Sequence, residues 1–202
     1  MSTVSSPVTK DLAGRVAVIT GASSGMGRST ALLLAARGAK VALLARREAA
    51  LEALAAEIRR GGGEALALVT DVTDQAAVDA AAADEGRVVD LINTSSIAGQ
   101  NIFPYFAAYS ATKAYVSHLT RHLRVELGPK NIRVSVLEPG ITSTELQGHV
   151  TFQGATDWLE NAAKSIDFLQ ADDIARTVVF IVTQPKHMNL QQVVIMPTKE
   201  AT

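Results

Sequence analysis

The segment Ala17-Val18-Ile19-Thr20-Gly21-Ala22-Ser23-Ser24-Gly25-Met26-Gly27, followed by Arg28 to Arg37, decides the fold. Ala17 to Thr20, with Arg15 and Val16 before them, read as a short buried strand that runs into a glycine. Arg28 to Arg37 has helical composition, and Gly38 is placed to stop it. Strand, glycine turn and helix in direct succession suit a phosphate-bearing ligand. Gly21 permits the tight turn, while Gly25 and Gly27 let backbone approach a pyrophosphate and let the helix sit against the sheet. The free amides and dipole of the helix N-terminus favour negative charge there. A glycine-rich turn without a ligand is the alternative, and the strand-turn-helix setting argues for the cofactor reading. Gly21, Ser23, Ser24, Gly25, Met26 and Gly27 are the expected contacts.

Working outward, Val41 to Ala45 form a second strand, and Arg46 to Arg60 an Ala/Leu-rich helix closed by Gly61, Gly62 and Gly63. A third strand spans Ala65 to Thr70, followed by a helical stretch from about Asp74 to Ala83. Val88 to Ser95 read as a strand, and Tyr109 to Leu127 as a long helix ended by Gly128 and Pro129. Ile132 to Leu137 and Gln191 to Met196 are further strands, with a helix from Asp172 to Thr183 between them. Strands alternating with helices predict an α/β fold, a Rossmann-type doubly wound parallel sheet covered on both faces. The whole chain, 1–202, is expected to form one domain. Residues 1–12 are read as a flexible N-terminal segment and 145–170 as a substrate-side loop with short helices.

Hydrophobic residues make up 48% and charged residues 19%, and the net charge of -1 gives no electrostatic reason for a nucleic-acid or anionic-membrane partner. Without cysteine, disulfides and thiolate metal sites are excluded. Met1 to Lys10 lack an apolar core of the signal-peptide kind, and no apolar run is long enough to span a bilayer, so a cytoplasmic location is expected. His118 and His122 sit one helical turn apart, but the stretch lacks the glutamate of a zinc-protease helix and has no third ligand. No metal is therefore expected.

Tyr109 and Lys113 are four residues apart and share a helix face. A nearby cation favours the phenolate, which suits proton transfer. Upstream, Asn93-Thr94-Ser95-Ser96-Ile97-Ala98-Gly99 closes a strand, and downstream Pro139-Gly140-Ile141-Thr142-Ser143-Thr144 closes another.

The TGxxxGxG turn at Thr20 to Gly27, together with Ser96, the YxxxK pair and the PG segment, resembles the short-chain dehydrogenase/reductase family. The resemblance covers most of the chain. It implies hydride transfer between a nicotinamide and a carbonyl or alcohol carbon, with Ser96, Tyr109 and Lys113 as the catalytic set. Pro139, Gly140, Ile141, Thr142 and Thr144 would contact nicotinamide and phosphates, and Asp71-Val72 the adenine. The family's acidic residue for NAD ribose falls at Ala45, followed by Arg46 and Arg47. A guanidinium can bind a 2′-phosphate that a carboxylate repels, so NADP (NADPH) is expected. Thr183 to Asn189 with Ile195 to Thr198 resemble a subgroup acting on small 3-hydroxy acids, serine or related aldehydes. Phe152, Trp158, Leu159 and Phe168 are candidate substrate-pocket residues. The resemblance also implies a homo-oligomer, dimer or tetramer, assembled through the tyrosine helix and the last strand.

One departure stands out. Between the third strand and Ser96 the family has a fourth strand, a long helix and then the serine strand, whereas this chain has one strand there. A βα unit is missing, and with it the asparagine of the proton relay, for which Asn93 is not a substitute. Losing a central strand removes ladder hydrogen bonds and covered apolar surface. Two alternatives to an active enzyme follow: an NADP-binding protein without turnover, and a chain with no stable site.

Overall fold

The computed structural model describes residues 9–71 and 89–200. The predicted helix at Asp74 to Ala83, Val72 and the first eight residues lie outside the described residues. The chain divides into two compact units, Met1–Ala83 and Asp84–Thr202.

The first unit runs β1 (Val16–Thr20), α1 (Gly25–Ala36), β2 (Lys40–Ala45), α2 (Glu48–Arg60) and β3 (Glu64–Val69). Its strands form a parallel sheet in the order β1-β2-β3, with Val18 opposite Ala42 and Ala42 opposite Leu66. Central β2 buries Val41, Leu43 and Leu44. On α2 the buried residues are Leu51, Leu54, Ala55 and Ile58, the three-and-four spacing of an amphipathic stripe, and this helix packs on β2 and β3. Burying each such leucine or isoleucine contributes roughly 1.5–3 kcal/mol. The expectation of a flexible segment at 1–12 is corrected at its end. Leu12 is only 2% exposed, its N–H donates to the Arg37 carbonyl at 3.0 Å, and Asp11 pairs with the Arg37 guanidinium. An apolar side chain and an ion pair dock this stretch where polarity alone suggested a free tail.

The second unit runs β4 (Val89–Thr94), α3 (Ala107–Leu127), β5 (Ile132–Pro139), α4 (Gln153–Ala163), α5 (Ala171–Val182) and β6 (Gln192–Ile195). Its parallel sheet has the order β4-β5-β6. The described strands thus form two three-stranded sheets, in which β1 and β4 each have a single hydrogen-bonded neighbour. Helix α3 packs on β4 and β5. It ends at Leu127 with Gly128 as its cap, where the sequence put its stop. Gly128 keeps a helical φ of -55°, a 3-10 turn follows at Gly128–Lys130, and the left-handed residue is Asn131 at φ 60°. Pro129 lacks an N–H yet fits a first helical turn, so the reversal falls to asparagine, which tolerates that conformation.

Each sheet carries one pair of opposite charges at directly opposed strand positions. Lys40 and Glu64, 2.9 Å apart, are exposed. Asp90 and Arg133 are buried, their side chains 6% and 8% accessible. The guanidinium forks onto the carboxylate at 2.7 and 2.8 Å, and donates its remaining N–H groups to the carbonyls of Val182, Gln184, Pro185 and Met188. It thereby joins β4, β5 and the C-terminal end of α5. The exposed pair is worth at most about 1 kcal/mol. Truncating one member of the buried pair leaves an uncompensated charge, so Asp90→Ala is expected to cost about 3–5 kcal/mol in urea unfolding. Replacing both partners by leucine and methionine should cost distinctly less.

Candidate active site

In the first unit, the turn after β1 has Gly21 at φ 65° and Gly25 at φ 50°. A Cβ on Gly27 would stand 2.4 Å from the Gly21 carbonyl oxygen, so α1 can begin this close to the turn only with glycine there. The Ala22 N–H donates to Leu44 at 3.2 Å and ties the turn to the end of β2. Ser24 is an extended N-cap whose side chain makes no capping bond, and the first turn of α1 holds no acidic residue. Positive dipole and glycine backbone therefore coincide without a carboxylate of that turn to oppose an anion. Of the two predicted arginines, Arg47 reaches this turn: Nε donates to Ser23 Oγ and Nη2 to the Ser23 carbonyl, both at 3.2 Å. Arg46 is exposed, and Asp71 lies exposed just beyond β3.

In the second unit, β4 delivers Ser95 and Ser96 to a turn packed on α3. Ser95 Oγ donates to the Lys113 carbonyl at 2.8 Å, and Ser117 Oγ lies 2.8 Å from Ser95 Oγ and 2.7 Å from Glu138 Oε1. A Cβ on Gly99 would stand 2.9 Å from the Lys113 carbonyl carbon and the Ala114 nitrogen, so glycine is what lets the serine turn touch the helix. Ser96 Oγ accepts the Ala98 N–H at 3.1 Å and lies 3.4 Å from the Pro139 carbonyl. Lys113 Nζ lies 5.6 Å from the centroid of the Tyr109 ring and donates to the Thr94 carbonyl at 3.2 Å. Burial pushes its ammonium below the ordinary lysine value. The four-residue spacing thus brings cation and phenol together as expected. Asn93 instead donates to Thr120 at 2.9 Å, a packing role.

The PG segment after β5 is held by its neighbours. The Ile141 N–H, expected to meet a carboxamide, donates to the Glu200 carboxylate at 3.1 Å. Glu200 is 9% exposed, and burial raises its pKa. The Thr142 carbonyl accepts from Gln147, and Thr144 forms a capping box with Gln147. Glu138, Glu200 and Gln147 were missed in the sequence, since nothing local marks their long-range partners. Trp158 on α4 meets Phe103 and Phe106 edge-on at 5.8 Å, and Phe106 meets Tyr109 at 6.4 Å, so Phe103 and Phe106 join the aromatic set. Phe152 meets Tyr105 at 5.4 Å, and Leu159 is half-buried. Phe168 lines a separate cavity of about 340 Å³ with Leu169, Met196 and Pro197. His118 and His122 are exposed with Nε2 atoms 3.2 Å apart. Among the described residues, no group of three or more His, Cys, Asp or Glu side chains could hold a metal, and no helix is long and apolar enough to cross a membrane.

Two family models match the chain: one described as short chain dehydrogenase over residues 15–88, and one as Enoyl-(Acyl carrier protein) reductase over residues 84–195. The chain belongs to the short-chain dehydrogenase/reductase family. Membership places it among oxidoreductases that use a nicotinamide cofactor. An uncharacterized oxidoreductase of Mycobacterium tuberculosis is 33% identical, with 93% of each chain covered. A glycine betaine reductase of Emericella nidulans is 31% identical over 96% of this chain, which spans only 20% of that relative. The closed form of serine dehydrogenase complexed with NADP+ superposes at TM-score 0.78 with 22% identity, covering 93% of this chain and 96% of that one, a likeness of fold. The mycobacterial alignment runs over 239 positions, and 93% of 202 residues is about 188, so roughly fifty positions have no residue in this family member. The two family models meet at residues 84–88, just ahead of β4, where the sequence lacks its βα unit.

Two outcomes test this geometry. Gly27→Ala should lower stability by about 1–3 kcal/mol in chemical denaturation, because backbone must shift to admit the methyl. Lys113, with its pKa depressed on folding, leaves the unfolded chain binding more protons between the depressed and ordinary values. Stability should therefore rise with pH across that window, and Lys113→Met should flatten the rise in a series of melting curves.

Proposed function

We propose that the chain is an NADP-dependent oxidoreductase that transfers a hydride between the nicotinamide and a carbonyl or secondary alcohol, with Tyr109 as general acid/base. The observation that carries this reading is the half-buried Lys113 ammonium beside the Tyr109 ring, on a helix packed against the Ser96 turn. Tyr109, with the Lys113 ammonium beside its ring, gives its proton to the developing alkoxide or takes one from the alcohol. Ser96 donates a hydrogen bond to the substrate oxygen. Lys113 also holds the nicotinamide ribose, Asp71 and Val72 the adenine, and Pro139, Gly140, Ile141, Thr142 and Thr144 the nicotinamide side and phosphates. When bound, the cofactor supplies the hydride.

The first unit fits a pyrophosphate through Gly21, Ser23, Ser24, Gly25, Met26 and Gly27. Arg47, seated on Ser23, is the better-placed of the two arginines for a 2′-phosphate, with Arg46 beside it. The substrate class is a small 3-hydroxy acid, serine or a related aldehyde. A homo-oligomer through α3 and β6 agrees with the exposed Tyr115, Leu119, Val125 and Val194. Binding without turnover is the second reading, favoured by the roughly fifty positions absent relative to the mycobacterial oxidoreductase.

Titration with NADPH and with NADH, followed by cofactor fluorescence and melting temperature, tests the cofactor assignment. NADPH should bind the tighter of the two, and Arg47→Ala should weaken NADPH by about tenfold while leaving NADH nearly unchanged. Turnover of carbonyl substrates should fall about 10²- to 10⁴-fold in Tyr109→Phe. Binding with no turnover in the unaltered chain would establish the second reading, and failure to bind either nucleotide would sink both.

A further inference from the structure

His118 and His122 occupy successive turns of α3 on an exposed face of the helix, opposite the buried Ser117 and Thr120. Their Nε2 atoms stand 3.2 Å apart, with ring centroids at 4.8 Å and ring planes inclined by 69°. Among the described residues, neither ring bonds to anything but the other. Both lie away from the face that carries Tyr109 and Lys113, so the proposed hydride chemistry makes no use of them.

The separation is that of a chelate. Two imidazole nitrogens bound at about 2.0–2.1 Å to one tetrahedral Zn²⁺ stand about 3.3 Å from each other. On a helix, residues four apart are roughly 5–6 Å from one another at Cβ, near enough for two imidazoles to share an ion. Without an ion, one Nε2 carries a hydrogen that the other accepts. With both rings neutral, moving that hydrogen to Nδ1 leaves both Nε2 lone pairs available to one metal, with no net proton released. Exposure lets a hydrated ion reach the pair, and Glu126, a further turn along the same face, adds negative charge near an arriving cation. Arg121, the neighbouring cation in sequence, reaches instead to Gln192 at 3.5 Å. Lack of a third protein ligand argues against a closed structural centre, and it leaves positions open to water.

We infer that His118 and His122 form a bidentate site for a divalent late first-row metal ion, with Zn²⁺ fitting the tetrahedral bite and water in the remaining positions. Imidazole nitrogen suits Zn²⁺, Cu²⁺ and Ni²⁺, whereas Mg²⁺ and Ca²⁺ take oxygen. The ion ties one turn of α3 to the next, on the side of the helix away from the sheet.

The chain has four histidines, so His149 and His187 serve as internal controls. Titration of the full-length chain with ZnCl₂, followed by calorimetry and by the imidazole signals in NMR, should show one ion per chain. The ring signals of His118 and His122 should move together, with those of His149 and His187 unchanged, and MgCl₂ should move none of them. His118→Gln and His122→Gln should each weaken Zn²⁺ binding roughly a hundredfold, because the second nitrogen acts at high effective concentration. Both positions are exposed, so each variant should keep the melting temperature of the metal-free chain. Saturating Zn²⁺ should raise the melting temperature of the unaltered chain and not that of the double variant. No saturable binding up to about 1 mM ZnCl₂, where a thermal shift would also be absent, overturns the inference. Signals moving alike in all four histidines, or a single-histidine variant that binds as tightly as the unaltered chain, overturns it too. So does half an ion per chain, which would mean a site built from two copies. None of these readouts needs nucleotide or turnover.

Discussion

The second unit depends on one buried ion pair. Asp90 and Arg133 stand directly opposite in adjacent parallel strands, and taking both charges out of water costs several kcal/mol per ion before any attraction is counted. Only a complete set of bonds offsets that cost, and the guanidinium supplies it by forking onto the carboxylate and filling carbonyls at the end of α5. A slip of one residue would turn either side chain to the opposite face of the sheet. The pair therefore sets where β4 stops relative to β5, and so places Ser96 within reach of the Pro139 carbonyl.

Above that fixed register the site is assembled by polar contacts and by one close approach. Gly99 admits the Lys113 backbone, Ser95 takes the Lys113 carbonyl, and Ser117 and Thr120 are the buried side chains of α3. Hydrocarbon packing tolerates small shifts of a helix along its axis, while a row of hydrogen bonds has one satisfied arrangement. The proposed roles of Tyr109 and Lys113 call for that definition, since misplacement by about 1 Å can cost a hundredfold in rate.

What was legible in the sequence was local. The strand, the glycine turn and the helix at 16–36 follow from a run of neighbours, as do the α2 stripe and the four-residue spacing of Tyr109 and Lys113. What escaped was set by distant partners. Leu12 reads as part of a polar tail until Arg37 takes its N–H. That Arg47 reaches the glycine turn follows only from its bonds to Ser23, 24 residues away. Glu138 and Glu200 look like ordinary acidic residues near strand and chain ends, and only the fold surrounds them. Gly128 marks the end of α3, as its place in the sequence indicates, but nothing local shows that the left-handed residue is Asn131, three residues on.

The ion pair also shapes how this unit is made. Asp90 and Arg133 are separated by 43 residues, and the Arg133 bonds to the end of α5 span 49 to 55. Helix α3 can form from local contacts at once, but no parallel pairing exists until segments this far apart meet, and the entropy of closing those loops must be met first. Until they meet, the chain holds two half-wanted charges and a run of strand-forming residues open to other molecules. The same interaction that makes the finished sheet unambiguous makes its assembly slow, so the newly made chain is most open to misassociation in the interval before Arg133 finds Asp90.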